Sequence, residues 1–382
     1  MSMNTVLGLQ QVMDRFLPAY RQQHCLSPQQ AKVMGAIRAC RTDVLGGQYV
    51  LCEQCGFSQI RYHSCRNRHC PQCQQQATQH WCEQRLQHVL PVDYFHLVFT
   101  LPHELNGWVQ LHPEVIYRLL FHAAWLTLKA FGADKKRLHG EVGMTAVLHS
   151  WGQNLSHHVH LHCLLPGGAL SHDHDRWQPA KSTYLFPVKA LSRVFRAKMV
   201  SGLRRAWQED QLSLVTRDNV NATLNRLMSK DWCVYSKATL HRAETVVKYL
   251  SRYTHRIAIS NHRLQAMDEQ QVVFRWHDYR DGNDKTLSLP GDEFVRRFLL
   301  HVLPKGLMRI RHYGFLANRS RQQKLGLIRD RLQRPSPKPS PAASDHETVA
   351  ATTACLCPKC HQNTLRVGYP IAANRLTRSK PS

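Results

Sequence analysis

No apolar run in these 382 residues approaches the ~20 needed to cross a bilayer, and the polar start Met1 to Asn4 has neither a charged leader nor an apolar core. The expected location is therefore the cytoplasm, with no membrane partner. No internal repeat of solenoid length is present, and no glycine-rich loop of the kind that cradles nucleotide phosphates, which argues against an ATP-driven machine. Acidic residues are scarce: 26 Asp and Glu stand against 51 Lys and Arg, a net charge of +25. An imbalance of that size is the footprint of a partner carrying many phosphates, and the partner it indicates is a nucleic acid.

Cysteine is plentiful. There are thirteen, an odd number, and eight fall between Cys52 and Cys73 or between Cys355 and Cys360. CxxC pairs in a chain without an export signal point to metal rather than disulfides. Cys52-x2-Cys55 and Cys70-x2-Cys73, fourteen residues apart, match the spacing of a four-cysteine structural zinc site. Cys65, His63 and His69 lie within the loop as alternate ligands, and Arg61, Arg66 and Arg68 there suit contacts with DNA. Cys355, Cys357, Cys360 and His361 could hold a further zinc or belong to an unstructured tail.

Hydrophobic periodicity divides the rest. Leu7, Val12, Phe16 and Leu17 mark one amphipathic helix; Val33, Ile37 and Cys40, after Ser27-Pro28, mark a second. Tyr94 to Leu101 reads as a buried strand, Pro113 to Phe131 as a long helix, and Val142 to Trp151 and His157 to Leu165 as strands, the last closed by a turn at Pro166-Gly167-Gly168. Helices follow over 188–207, 219–228 and 244–253, with strands at 232–235, 256–264 and 272–276. Asp292 is expected to cap a helix ended by Pro304 and Gly306. The pattern predicts an α+β fold with a largely antiparallel sheet. The expected domains are a helical segment (1–45), a small zinc-binding unit (46–90), a catalytic unit (91–330), a Pro/Ser-rich linker (331–350) and a basic tail (351–382).

Within the strand at 157–165, alternation puts His158, His160 and His162 on one face and Val159, Leu161, Cys163 and Leu165 on the other. Imidazoles two residues apart can grip one divalent cation. Tyr249 and Tyr253, four apart in a helical pattern, share a face with Val246 and Leu250. Taken alone, such a stripe reads first as a core-facing helix, and the functional alternative is that the two phenols are nucleophiles at one site. Basic clusters at Arg193, Arg196, Lys198, Arg204 and Arg205, and at Arg296, Arg297, Lys305, Arg309, Arg311, Arg319 and Arg321, would track a phosphate backbone, and Trp276, Tyr313 and Phe315 could stack on bases.

Together, His160-Leu161-His162 and the downstream Tyr249-x3-Tyr253 resemble the His-hydrophobic-His (HUH) relaxases and replication initiators. The wider chain resembles the two-tyrosine rolling-circle insertion-sequence transposases. The resemblance is carried by Cys65 to Cys73, Phe99 to Pro102, His149 to Asn154, the His strand through Gly168, Tyr249 to His255, Leu303 to Gly306 and Arg309 to Gly314. Ala169, where that family is expected to show a third glycine, departs from the pattern.

The resemblance implies an HUH-type central antiparallel sheet flanked by helices. It implies a DNA transposase whose metal-assisted tyrosine attack nicks one strand, forms a 5′-phosphotyrosine and rejoins strands by rolling-circle transposition. Structural zinc, catalytic Mg2+ or Mn2+ held by His160 and His162, and single-stranded or hairpin DNA ends as partner come with it. His158, His149, Gln153 and Glu244 stand open as further ligands. A relaxase, a replication initiator, a nuclease using water and a non-catalytic zinc-finger protein are the alternatives.

Overall fold

The computed structural model describes residues 7–74, 88–180, 185–239, 258–332, 356–362 and 364–374. Two helices, α1 (Leu9–Gln23) and α2 (Pro28–Ala39), lead into the hairpin β1 (Gly47–Cys52) and β2 (Ser58–Tyr62). The main body follows: β3 (Tyr94–Thr100), α3 (Asn106–Leu111), α4 (Pro113–Ala133), β4 (Gly140–Glu141), β5 (Gly143–Trp151), β6 (His157–Pro166), β7 (Gly168–Ser171), β8 (Trp177–Pro179), α5 (Val188–Gln208), α6 (Arg217–Ser229) and β9 (Val234–Thr239). Then come β10 (Leu264–Met267), β11 (Gln271–Asp278), β12 (Asn283–Pro290), α7 (Gly291–Leu299), β13 (Ile310–Gly314), α8 (Arg321–Arg331) and β14 (Leu365–Ile371). The fold is mixed, with helices packed on antiparallel sheets. No described helix is long and apolar enough to cross a membrane.

The centre is a five-stranded antiparallel sheet in the order β13-β5-β6-β3-β9. Strand alternation gives it two unlike faces. Phe95, Leu97 and Phe99 of β3, Met144, Ala146 and Leu148 of β5, and Val159, Leu161, Cys163 and Leu165 of β6 pack under α4, α5 and α6 in one large core. Burying each of the larger side chains contributes roughly 1.5–3 kcal/mol, which fixes the register, since a one-residue slip would turn the apolar set outward. The opposite face of the same strands carries His96, His149, His160 and His162.

A second core joins α1 and α2 to the β10-β11-β12 sheet and α7, through Val12, Phe16, Ile37, Phe274, Phe294 and Phe298. Helix α2 begins where expected because Ser27 caps it: the Ser27 hydroxyl accepts from the Gln30 amide at 3.2 Å and the Gln30 side chain accepts from the Ser27 amide at 2.9 Å.

Several expectations are corrected. No reversal occurs at Pro166-Gly167-Gly168; the chain kinks there and passes from the central sheet into the β4-β7-β8 sheet. Glycine is needed because a Cβ at Gly168 would lie 2.5 Å from the Trp177 ring. The described part of 256–264 is bend and 3-10 turn, with the strand starting only at Leu264. Asp292 sits inside the first turn of α7, whose cap position is Pro290. Strands β12 and β13 carry too little apolar alternation to be foreseen.

Within the stretch expected as a basic tail, β14 pairs antiparallel with β1 in the sheet β14-β1-β2. The Pro/Ser-rich stretch largely, and the helix expected over 244–253 wholly, lie outside the described residues.

Candidate metal centre and zinc module

β6 is flanked by β5 and β3, so its outward side chains face those of both neighbours. His149 of β5 is the direct cross-strand partner of His160. The ligand nitrogens of His149, His160 and His162 all lie within 4.8 Å of one another. Their ring centroids are 5.3 Å apart for His149 and His160, 4.5 Å for His149 and His162, and 4.7 Å for His160 and His162.

Two contacts orient the rings. Nδ1 of His160 is 3.0 Å from the His158 carbonyl oxygen. A carbonyl only accepts, so Nδ1 carries the proton and Nε2 keeps its lone pair. Nδ1 of His162 is 2.9 Å from Nε2 of His96, which stands on β3 two residues from the position opposite His162. The His149 ring stacks on Trp151 with centroids 4.5 Å apart. Burial pushes the imidazole of His160 down to about 3 and that of His96 down to about 4, so both are neutral at physiological pH. Neutral imidazoles converging from two strands, each held by a second contact, fit a divalent cation.

Of the other ligand candidates, His158 is exposed and outside this group, its ring 4.9 Å from that of His160. The Gln153 side-chain amide donates to the Tyr279 hydroxyl at 3.2 Å. Glu244, Tyr249 and Tyr253 lie outside the described residues. Sequence reasoning missed His96, whose only signal is a polar ring inside an otherwise apolar strand.

The expected four-cysteine set is corrected. Cys52, Cys55, Cys70 and Cys73 do not converge; the structure divides them between two clusters, Cys40, Cys65, Cys70 and Cys73 in one and Cys52, Cys55, Cys357 and Cys360 in the other. In the first, Cys40 and Cys65 sulfurs each lie 3.6 Å from that of Cys73. Sulfurs bound tetrahedrally at ~2.3 Å to zinc stand about 3.8 Å apart, so the donor set fits that ion. Cys40, read from sequence as part of the apolar face of α2, closes the helix and turns its thiol into this cluster. A cysteine at the end of a helix, upstream of Cys65 and the Cys70-x2-Cys73 pair, was the available signal.

His69 is not among the ligands: it is buried, its Nδ1 3.1 Å from the Asn67 side-chain oxygen, and its Nε2 accepts from the Leu303 amide at 3.2 Å. His63 is exposed and outside both clusters.

Several residues expected to contact DNA are engaged within the fold. Arg68 donates to the carbonyls of Leu307 at 2.5 Å and Pro304 at 2.8 Å, tying the zinc loop to the 303–307 turn. Arg309 is half-buried beside His69, Trp151 and His301, and burial lowers its pKa to about 10. The Arg311 guanidinium lies 4.3 Å above the Phe121 ring. Phe315 is fully buried, and Tyr313 stacks on Trp125 at 5.2 Å. Arg66 and Lys305 are exposed, and Arg61 and Trp276 half-exposed.

Two family descriptions match the chain: "Transposase zinc-binding domain" over residues 12–101 and "Putative transposase" over 143–324. The "Putative transposase y4qJ" of Sinorhizobium fredii is 43% identical over 366 residues, covering 92% of each protein. The "Transposase for insertion sequence element IS801" of Pseudomonas savastanoi pv. phaseolicola is 26% identical over 323 residues, covering 79% of this chain and 74% of the relative. No solved structure matches the chain. A chain similar to y4qJ along nearly its whole length, with thiol clusters in and around the matched zinc-binding segment, belongs to the transposase family.

Proposed function

We propose that this transposase cuts and rejoins single strands of DNA by a tyrosine mechanism centred on His149, His160 and His162, in the manner of a rolling-circle element. The observation that carries the proposal is the convergence of three imidazoles on the face of the central sheet opposite the main core, two of them oriented by hydrogen bonds. A Mg2+ or Mn2+ ion bound there would withdraw charge from a non-bridging phosphate oxygen and make the phosphorus attackable.

The protein's own groups do the rest. His160 and His162 present Nε2, because their Nδ1 atoms are engaged by the His158 carbonyl and His96. His149 serves as the third ligand in preference to His158 and Gln153, a reading supported by its place opposite His160. Tyr249 or Tyr253 supplies the nucleophile: its phenol oxygen bonds to phosphorus as the bond to the 3′ oxygen breaks. The phenol proton passes to solvent, and the departing oxygen takes up a proton as a 3′ hydroxyl. One ester replaces another, so the energy of the broken bond is kept and no ATP is consumed. The second tyrosine can take the next strand end before the first is released. Exposed Arg66 and Lys305, within a net charge of +25, supply phosphate contacts.

The test is incubation with labelled single-stranded DNA from the ends of the element and Mn2+, followed by denaturing electrophoresis. A covalent adduct that forms with the native protein and is lost in Tyr249→Phe/Tyr253→Phe, with DNA retention unchanged, is expected. Cleavage without an adduct, or an adduct surviving the double change, would overturn the assignment.

A further inference from the structure

We infer that Cys52, Cys55, Cys357 and Cys360 form a second zinc site, which latches the C-terminal end of the chain onto the first β-sheet. The inference is independent of the catalytic reading above. The matched zinc-binding segment ends at residue 101, so half of these ligands lie outside it.

The first support is donor geometry. The Cys52 and Cys360 sulfurs are 3.6 Å apart and those of Cys55 and Cys357 3.5 Å, although the second pair is separated by 302 positions in sequence. All four lie within 4.8 Å of one another. These distances are far beyond the ~2.05 Å of a disulfide and close to the about 3.8 Å edge of a zinc tetrathiolate. Four thiolates in a closed tetrahedral set favour zinc over the hard cations.

A second support is that the two CxxC segments adopt the same backbone form. The Gly56 amide donates to the Cys52 carbonyl at 3.0 Å, and the His361 amide to the Cys357 carbonyl at 2.8 Å. The Cys52 amide donates to the Phe57 carbonyl and the Cys357 amide to the Gln362 carbonyl, each at 2.8 Å. The residue after the second cysteine is left-handed in both, Gly56 at φ 67° and His361 at φ 57°. Glycine adopts that conformation freely; histidine does so only where its surroundings hold it. Two matching knuckles facing each other are the two halves of one site. The Thr364 hydroxyl, 3.0 Å from the Cys52 sulfur, adds an outer contact.

The third support is what the small sheet lacks. β14 is exposed along most of its length, with Val367 and Tyr369 open to solvent, and Leu51 of β1 and Ile60 of β2 are exposed as well. So little apolar burial cannot hold a three-stranded sheet alone, and metal binding supplies folding energy where a core does not. The remaining ties are peripheral: Arg366 to Glu53 at 3.0 Å, the Asn374 side chain to Asp43 at 3.1 Å, and Tyr49 stacked on Tyr369. Freed from the site, β14 would leave one edge of β1 unpaired.

Metal analysis of the native full-length protein is expected to give two zinc ions per chain. Cys357→Ser/Cys360→Ser is expected to keep one and Cys70→Ser/Cys73→Ser to keep the other. One zinc in the native protein, or two in Cys357→Ser/Cys360→Ser, overturns the site. Thiol alkylation of the native protein avoids any folding defect in the variants. Cys357 and Cys360 are expected to resist modification until a chelator is added, and their labelling in the zinc-loaded protein would refute the latch.

Discussion

His96 offers a sharp test of the proposed centre because it lies next to the cation rather than on it. Its Nε2 sits 2.9 Å from Nδ1 of His162, and the two rings are nearly parallel with centroids 5.1 Å apart. Replacing His96 with leucine keeps a buried apolar strand but removes the atom that sets the tautomer and swing of His162. Partners of metal-bound imidazoles typically contribute 10–100-fold in affinity or activity, or about 1.4–2.7 kcal/mol. The expected result is a Mn2+ titration of adduct formation whose midpoint rises 10–100-fold in His96→Leu, with most of the rate recovered at saturating metal. His96→Gln, whose amide can accept from His162, should recover part of the loss. Melting temperatures close to the native value would show that the β3 core is undisturbed. An unchanged midpoint in His96→Leu would show that His162 needs no such partner, and the argument from ring orientation would fail.

Gly314 has φ 61°, and a Cβ there would lie 1.8 Å from the Val142 carbonyl oxygen. Gly314→Ala should therefore destabilise the β13–β5 edge by about 3 kcal/mol, read as a fall of several degrees in melting temperature; an unshifted midpoint would contradict the geometry. Arg296 holds the Glu293 carboxyl at about 2, with Arg297 assisting against the opposing effect of burial. A depressed carboxyl stabilises the fold above its unfolded pKa and loses that contribution as pH falls through the folded one. Glu293→Gln should thus cost on the order of 1 kcal/mol at pH 7, discounted for its partial exposure, and the difference from native should vanish between pH ~4.5 and ~2. With +25 net charge, DNA affinity measured by filter binding should fall steeply with salt, with a log-log slope steeper than about −5. A slope near −1 would mean that few phosphates are contacted.

The sequence by itself determined the periodic elements and the alternation of β6. Period two over His157 to Leu165 forces Val159, Leu161 and Cys163 to one face and His158, His160 and His162 to the other, and the buried core enforces that choice. The long helix α4 and the Ser27 cap were legible for the same reason: their signals are local, and the rest of the fold agrees with them.

Tertiary structure decided which local signals meet. Whether His149 or His158 joins His160 depends on the pairing of β5 with β6, a register the strand's own residues do not encode. Which cysteines share a metal depends on where the chain returns: Cys40 comes from a helix end, and Cys357 and Cys360 from beyond the linker, so spacing along the chain paired the wrong CxxC motifs. Arg68, Arg309 and Arg311 show the same limit for charge. Sequence reports that a guanidinium is present, but only packing reveals that Arg68 donates to carbonyls, that Arg309 is half-buried and that Arg311 lies over the Phe121 ring.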